Sequence, residues 1–156
     1  MTVAGFAKAA IAQVDKVPPA GWYGALAQAE RVDALAADGQ VDAALTLART
    51  LADEPDAEAE RHVRLGRLLA EQKDFDGAAA AFRAAQARFG DAAPPWSLLL
   101  FEGSALEQGK RWDEARAVLE RAAALAPNEP VILNYLGYAQ IERRQNVAAA
   151  LDMLKK

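Results

Sequence analysis

The chain has 156 residues, enough for one compact domain or a short solenoid with a real core, and 53% of them are apolar, which excludes a disordered tail. Acidic residues outnumber basic ones by 22 to 18 for a net charge of -4. A surface built to neutralise phosphates needs the opposite balance, so no nucleic-acid partner is expected. Cysteine is absent, which excludes disulfides, thiolate metal sites and a cysteine nucleophile.

Alanine is the commonest residue, and the accompanying Leu, Glu, Gln and Arg favour helix by propensity. No alternating strand pattern appears. The mean hydropathy of -0.09 is that of a soluble protein, and no apolar run approaches the roughly 20 residues of a membrane span. The greasiest run, Trp96 to Phe101, contains Ser97 and stops at Glu102. Membrane insertion is therefore not expected. The N-terminus lacks the basic start and apolar core of a signal peptide. Cytoplasm and periplasm both remain open as compartments.

In chain order, Val3, Phe6, Ala10, Ile11 and Val14 have helical spacing and lead into Pro18-Pro19, as the second helix of a preceding hairpin would. A repeat follows. Its clearest copy carries Leu65, Gly66, Leu69, Phe75, Ala78, Phe82 and Ala85. The next carries Gly103, Leu106, Trp112, Ala115, Leu119, Ala122 and Pro127. In both, the first alanine follows the glycine by 12 residues, and a bulky residue and a second alanine follow that alanine by 4 and 7. Gly103 to Gly137 is 34 residues, and Gly66 to Gly103 is 37, the excess fitting the loop at Gly90 to Pro95. A weaker copy upstream has Leu35, Gly39, Val41, Ala44, Ala48 and Leu51, with Val32 in place of the small residue, so looser packing is expected there.

Each copy reads as a helix pair. Gly66, Gly103 and Ala78 let two axes approach, while Leu65, Leu69 and Phe82 fill the seam. Short polar turns at Gln72-Lys73-Asp74, Gln108 to Arg111 and Arg144-Gln145-Asn146 separate the helices. Pro55, Pro94-Pro95, Pro127 and Pro130 are expected to stop the second helices. A single hairpin cannot bury its own apolar face, so neighbours must stack.

These residues resemble the tetratricopeptide repeat family, in a bacterial-type form. The likeness is carried by Leu65-Gly66 through Ala85, by Trp112-Asp113-Glu114-Ala115 running to Ala126-Pro127-Asn128, and by Leu133-Asn134-Tyr135-Leu136-Gly137-Tyr138. It covers roughly Ala25 to the C-terminus. His62 and Leu99 stand where the family often has Trp, and Gly90 where it has Pro. The resemblance implies an all-α, right-handed superhelix (solenoid) of antiparallel hairpins in one continuous domain. The expected divisions are a leading helix at 1–18, a degenerate repeat at 19–57, repeats at 58–95 and 96–129, and a repeat at 130–156 truncated in its second helix. The half-repeats at both ends suggest a segment of a longer protein.

Catalysis is not expected. His62 is the only histidine, and Ser104 lies in Glu-Gly-Ser-Ala without the Gly-x-Ser-x-Gly elbow that exposes a nucleophile. The acids at Asp53, Glu54, Asp56, Glu58 and Glu60 lack the spacing of a calcium loop and suit a helix start instead. No Gly-rich phosphate loop, metal site or cofactor is indicated.

The resemblance implies instead a scaffold or adaptor that binds a partner protein's peptide or helix in a concave groove lined by the first helices. Removing the seam residues leaves Leu26, Ala29 and Asp33 in the first copy, Val63, Arg67 and Glu71 in the second, Ser97, Leu100, Ser104 and Glu107 in the third, and Asn134, Tyr138 and Ile141 in the fourth. Of these, Asp33, Val63, Arg67, Leu100, Ser104, Asn134, Tyr138 and Ile141 are the groove candidates. Arg67 and Tyr138 lead because Arg and aromatic side chains dominate binding hot spots. Trp22, Tyr23 and Trp96, at helix starts, suit packing against the adjacent repeat better than ligand contact. Some family members grip acidic chaperone tails through a basic groove. Ala29, Asp33, Val63, Arg67, Leu100 and Ser104 occupy those positions here, and only Arg67 has the charge, which disfavours that ligand. The alternative is a structural module that self-associates end to end and supports another domain, with the exposed terminal helices pairing two copies.

Overall fold

The computed structural model describes the backbone of residues 3–16, 21–142 and 147–155. Among the described residues there are nine α-helices and no strand: α1 (Val3–Val14), α2 (Gly21–Ala37), α3 (Val41–Ala52), α4 (Ala59–Glu71), α5 (Phe75–Ala87), α6 (Trp96–Gln108), α7 (Trp112–Leu125), α8 (Pro130–Glu142) and α9 (Val147–Lys155). They form two compact units, one ending at Leu65 and the other starting at Gly66, with α4 contributing residues to each.

In the first unit α2 packs on both α1 and α3. Val32, Ala44, Ala48 and Leu51 are buried between α2 and α3. Ion pairs tie the periphery together: Arg31 with Asp15, Arg61 with Glu54, and Arg64 with Asp33 at 3.1 Å. Arg61 also donates to the Leu51 carbonyl at 3.1 Å, satisfying a free C-terminal acceptor of α3.

In the second unit α5 packs on α6, α6 on α7, α7 on α8 and α8 on α9. Its core holds Leu69, Phe82, Leu99, Leu106, Leu119, Ile132 and Leu136. Full burial of one such side chain is worth about 1.5–3 kcal/mol. The small residues act as the repeat predicts. A Cβ on Gly66 would meet the Phe82 ring, and one on Gly103 would meet Leu119, so these side chains lie directly on the backbone of α4 and α6.

Three turns share one geometry. Gly39, Lys73 and Lys110 have φ of +83°, +62° and +62° and follow α2, α4 and α6. The next residue's N–H reaches back five positions in each: Gln40 to Leu35 and Asp74 to Leu69 at 2.9 Å, Arg111 to Leu106 at 2.8 Å. This is the Schellman arrangement, in which a left-handed residue lets the chain satisfy the last helical carbonyls and turn sharply. Asp74 then caps α5 by accepting from the Gly77 N–H at 3.0 Å.

Helices α3, α5 and α7 end before Pro55, Pro94-Pro95 and Pro127, as expected. Pro130 does not stop a helix; it is the first residue of α8. Proline is at home there because its fixed φ suits a first turn whose N–H groups are unpaired anyway. Pro18-Pro19 and the turn at Arg144-Gln145-Asn146 lie outside the described residues.

Candidate functional site

The groove candidates fall on helix faces at i, i+4 spacing: Val63 and Arg67 on α4, Leu100 and Ser104 on α6, Asn134 and Tyr138 on α8. Arg67, Leu100, Ser104, Asn134 and Tyr138 belong to the second unit. Leu100 and Ser104 are half-buried, while Arg67 and Asn134 are exposed. Tyr138 is 60% exposed, unusual for a large ring in a folded unit. The side chain of Ile141 lies outside the described residues, as do those of Trp22 and Tyr23.

Two contacts bring these helices together. The Arg67 guanidinium carbon sits 5.5 Å from the centroid of the Phe101 ring, within cation–π range. Phe101 in turn lies against Phe82, ring centroids 5.5 Å apart and tilted by 36°. The cation is thus seated on a ring that packs against the buried Phe82. On α6 and α8, the Ser104 and Tyr135 hydroxyls lie 3.3 Å apart, and Gln108 donates to the Ser104 hydroxyl at 3.2 Å. Ser104 therefore links α6 to α8.

Phe101 and Tyr135 were not among the sequence candidates. Each lies one residue beyond or after a candidate, Leu100 or Asn134, and their roles depend on which neighbouring helix they meet. Glu102 was read only as the polar end of an apolar run. It is 1% exposed, with Arg83 at 2.8 Å and Gln86 donating at 2.7 Å. Both partners come from α5, so this buried carboxylate fastens α5 to α6.

The remaining candidates, Asp33 and Val63, belong to the first unit. Val63 is half-buried and Asp33 exposed. Asp33 is bound by Arg64, whose Nε and Nη2 donate to its two oxygens at 3.1 and 3.4 Å. Its charge is thereby answered within the unit. The same unit contains a cleft of about 900 Å³ between α2, α3 and the start of α4. Its lining includes Leu26 and Ala29, which the sequence places on the groove face, but the cleft itself has no sequence signature.

Among the described residues no three His, Cys, Asp or Glu side chains are grouped to hold a metal ion, and no helix is long and apolar enough to cross a membrane.

The model of the tetratricopeptide repeat matches residues 29–95, 63–130 and 102–156. No curated protein matches the chain. Among solved structures, MamA of strain AMB-1 is 24% identical, with 97% of this chain and 88% of that chain covered and a TM-score of 0.74. MamA of Desulfovibrio magneticus RS-1 is 16% identical, covering 97% and 83%, with a TM-score of 0.75. A protein of Podosopora anserina, described as a kinesin light chain with nearly identical TPR-like repeats, is 17% identical, covering 97% and 83%, with a TM-score of 0.73. These likenesses establish the all-α solenoid fold class. The recurring Gly66/Phe82 and Gly103/Leu119 seams, the shared turns and the family match together show that this chain belongs to the tetratricopeptide repeat family, a protein-interaction scaffold rather than an enzyme type of fold.

Proposed function

We propose that the scaffold binds a partner's peptide or helix across the faces of α4, α6 and α8 in the second unit, with no catalytic role of its own. The observation that supports this best is the Arg67 guanidinium held 5.5 Å over Phe101. Seating a charged donor on a ring reduces the side-chain entropy lost when it binds. The guanidinium edge remains available to a carboxylate or backbone carbonyl. Leu100, half-buried on α6, offers apolar surface, and Asn134 and Tyr138 offer an amide and a largely exposed ring on α8. The net charge of -4 supports a protein partner over a nucleic acid. Within this reading the repeats divide at 19–57, 58–95, 96–129 and 130–156, following the leading helix at 1–18.

A pull-down from host lysate comparing wild type with Arg67→Glu/Tyr138→Ala tests the reading. Both positions are exposed, so circular dichroism of the variant is expected to be unchanged. A partner held by wild type and lost by the variant supports the groove. A partner held equally by both overturns it.

A second reading, self-association through the terminal helices, rests on the exposed Phe6 on α1 and Leu151 on α9. Light scattering at two concentrations tests it: a mass that rises with concentration and falls in Phe6→Glu supports pairing, and a constant monomer mass argues against it.

A further inference from the structure

The cleft in the first unit has a cause that can be read from the repeat register. In the second unit Phe82 reaches from α5 to the backbone of α4 at Gly66 and on to Phe101 of α6. One large side chain on the second helix thereby plugs the space between three helices. The equivalent pair in the first unit, 34 residues upstream, is Val32 on α2 and Ala48 on α3. Bulk has moved from the second helix to the first. Val32 and Ala48 are both buried, so the seam between α2 and α3 is closed. A methyl group at Ala48 cannot reach the third helix, however, and the space between α2, α3 and the start of α4 stays open at about 900 Å³.

The walls and rim differ in character. Ala25, Leu26 and Ala29 of α2 face Leu47 and Leu51 of α3 across the cleft, and Leu26 is 53% exposed at its edge. The rim toward α4 is acidic, with Glu54, Asp56, Glu58 and Glu60 against Arg61 and Arg64. Both cations are engaged: Arg61 with Glu54, Arg64 with Asp33 and Glu60. Asp56 and Glu58 are exposed, and no ion pair with a described residue answers either carboxylate. The free field at the mouth is therefore negative.

We propose that this cleft is a second docking site, for a basic amphipathic segment of a partner protein. It deepens the scaffold reading and rests on it. A volume of about 900 Å³ lies within the range of about 300–1,000 Å³ typical of binding pockets. That is room for more than one apolar side chain, as when a short helix lays residues at i and i+4 into a groove. Lys or Arg beside those anchors would meet Asp56 and Glu58, whereas an acidic segment would be repelled. Electrostatic complementarity thus selects the partner, and the apolar walls hold it.

The test uses the full chain and a fluorescein-labelled synthetic helix with Leu at i and i+4 and Lys on its flanks. Its controls are the same peptide with Lys changed to Glu, and with Leu changed to Ser. Anisotropy titrations are expected to show binding of the basic peptide that weakens about tenfold or more in each control. Leu26→Glu and the double variant Asp56→Lys/Glu58→Lys, all at exposed positions, are each expected to weaken it about tenfold, the latter with loss of salt dependence. Ala48→Leu fills the floor and is expected to block binding; should it fail to fold, the rim variants still decide. Arg67→Glu/Tyr138→Ala is expected to leave this binding unchanged. Equal binding of the basic and acidic peptides, or indifference to Leu26→Glu and to the rim reversal, overturns the site. Loss in the Arg67/Tyr138 variant alone would overturn it while supporting the second-unit groove. A Leu26-dependent dimer in sedimentation that the basic peptide dissociates would make a second copy the occupant and overturn the partner named here.

Discussion

A Cβ placed on Gly66 would stand 2.6 Å from Cε1 of Phe82, a distance side chains do not sustain. The ring has little room to swing away, because it is buried and also packs against Phe101. Gly66→Ala is therefore expected to destabilise the protein by about 1–3 kcal/mol through overpacking, although alanine is the better helix former. Urea denaturation checks this. The loss should be smaller in the background of Phe82→Leu, so the double-mutant cycle should show coupling.

Lys73 and Lys110 hold a left-handed conformation that costs a side-chain-bearing residue roughly 1–2 kcal/mol. Both are exposed turn residues. Lys73→Gly and Lys110→Gly should each stabilise by about 0.5–1 kcal/mol, part of the relief being offset by the greater freedom of glycine in the unfolded chain. Gly39→Ala, at φ +83°, should act in the opposite sense. Thermal melts of the three variants decide the matter.

Glu102 is buried while its partner Arg83 is exposed over about half of its side chain. Arg83→Met should cost about 1–3 kcal/mol, because the carboxylate is left with Gln86 alone. Arg83→Met combined with Glu102→Leu should recover much of that loss, since an apolar pair needs no desolvated charge to be answered. Equal stability of the single and double variants would show that water reaches the carboxylate.

Asp74→Ala removes the cap on Gly77 and should cost about 1 kcal/mol. Gln40, at the corresponding start of α3, makes no side-chain cap. Gln40→Asp should therefore stabilise the first unit by a similar amount, measurable as a rise in its denaturation midpoint.

Whatever depends on residues close along the chain is legible in the sequence. Helical spacing, the glycine at the seam, the polar turns and the 34-residue recurrence specify hairpins and the family, because neighbours at i+3 and i+4 meet in any α-helix. Pro130 is not decided at that level, since proline both ends a helix and begins one, and only the backbone on either side distinguishes the two. The rest depends on which helices meet in space. Arg67 became a seated cation through Phe101, 34 positions away, and Asp33 was answered by Arg64, 31 positions away. Glu102 was buried by residues of another helix. The cleft follows from a side chain too short to reach a third helix, and a pairwise repeat pattern records two helices at a time. Packing among three is a property of the folded chain alone.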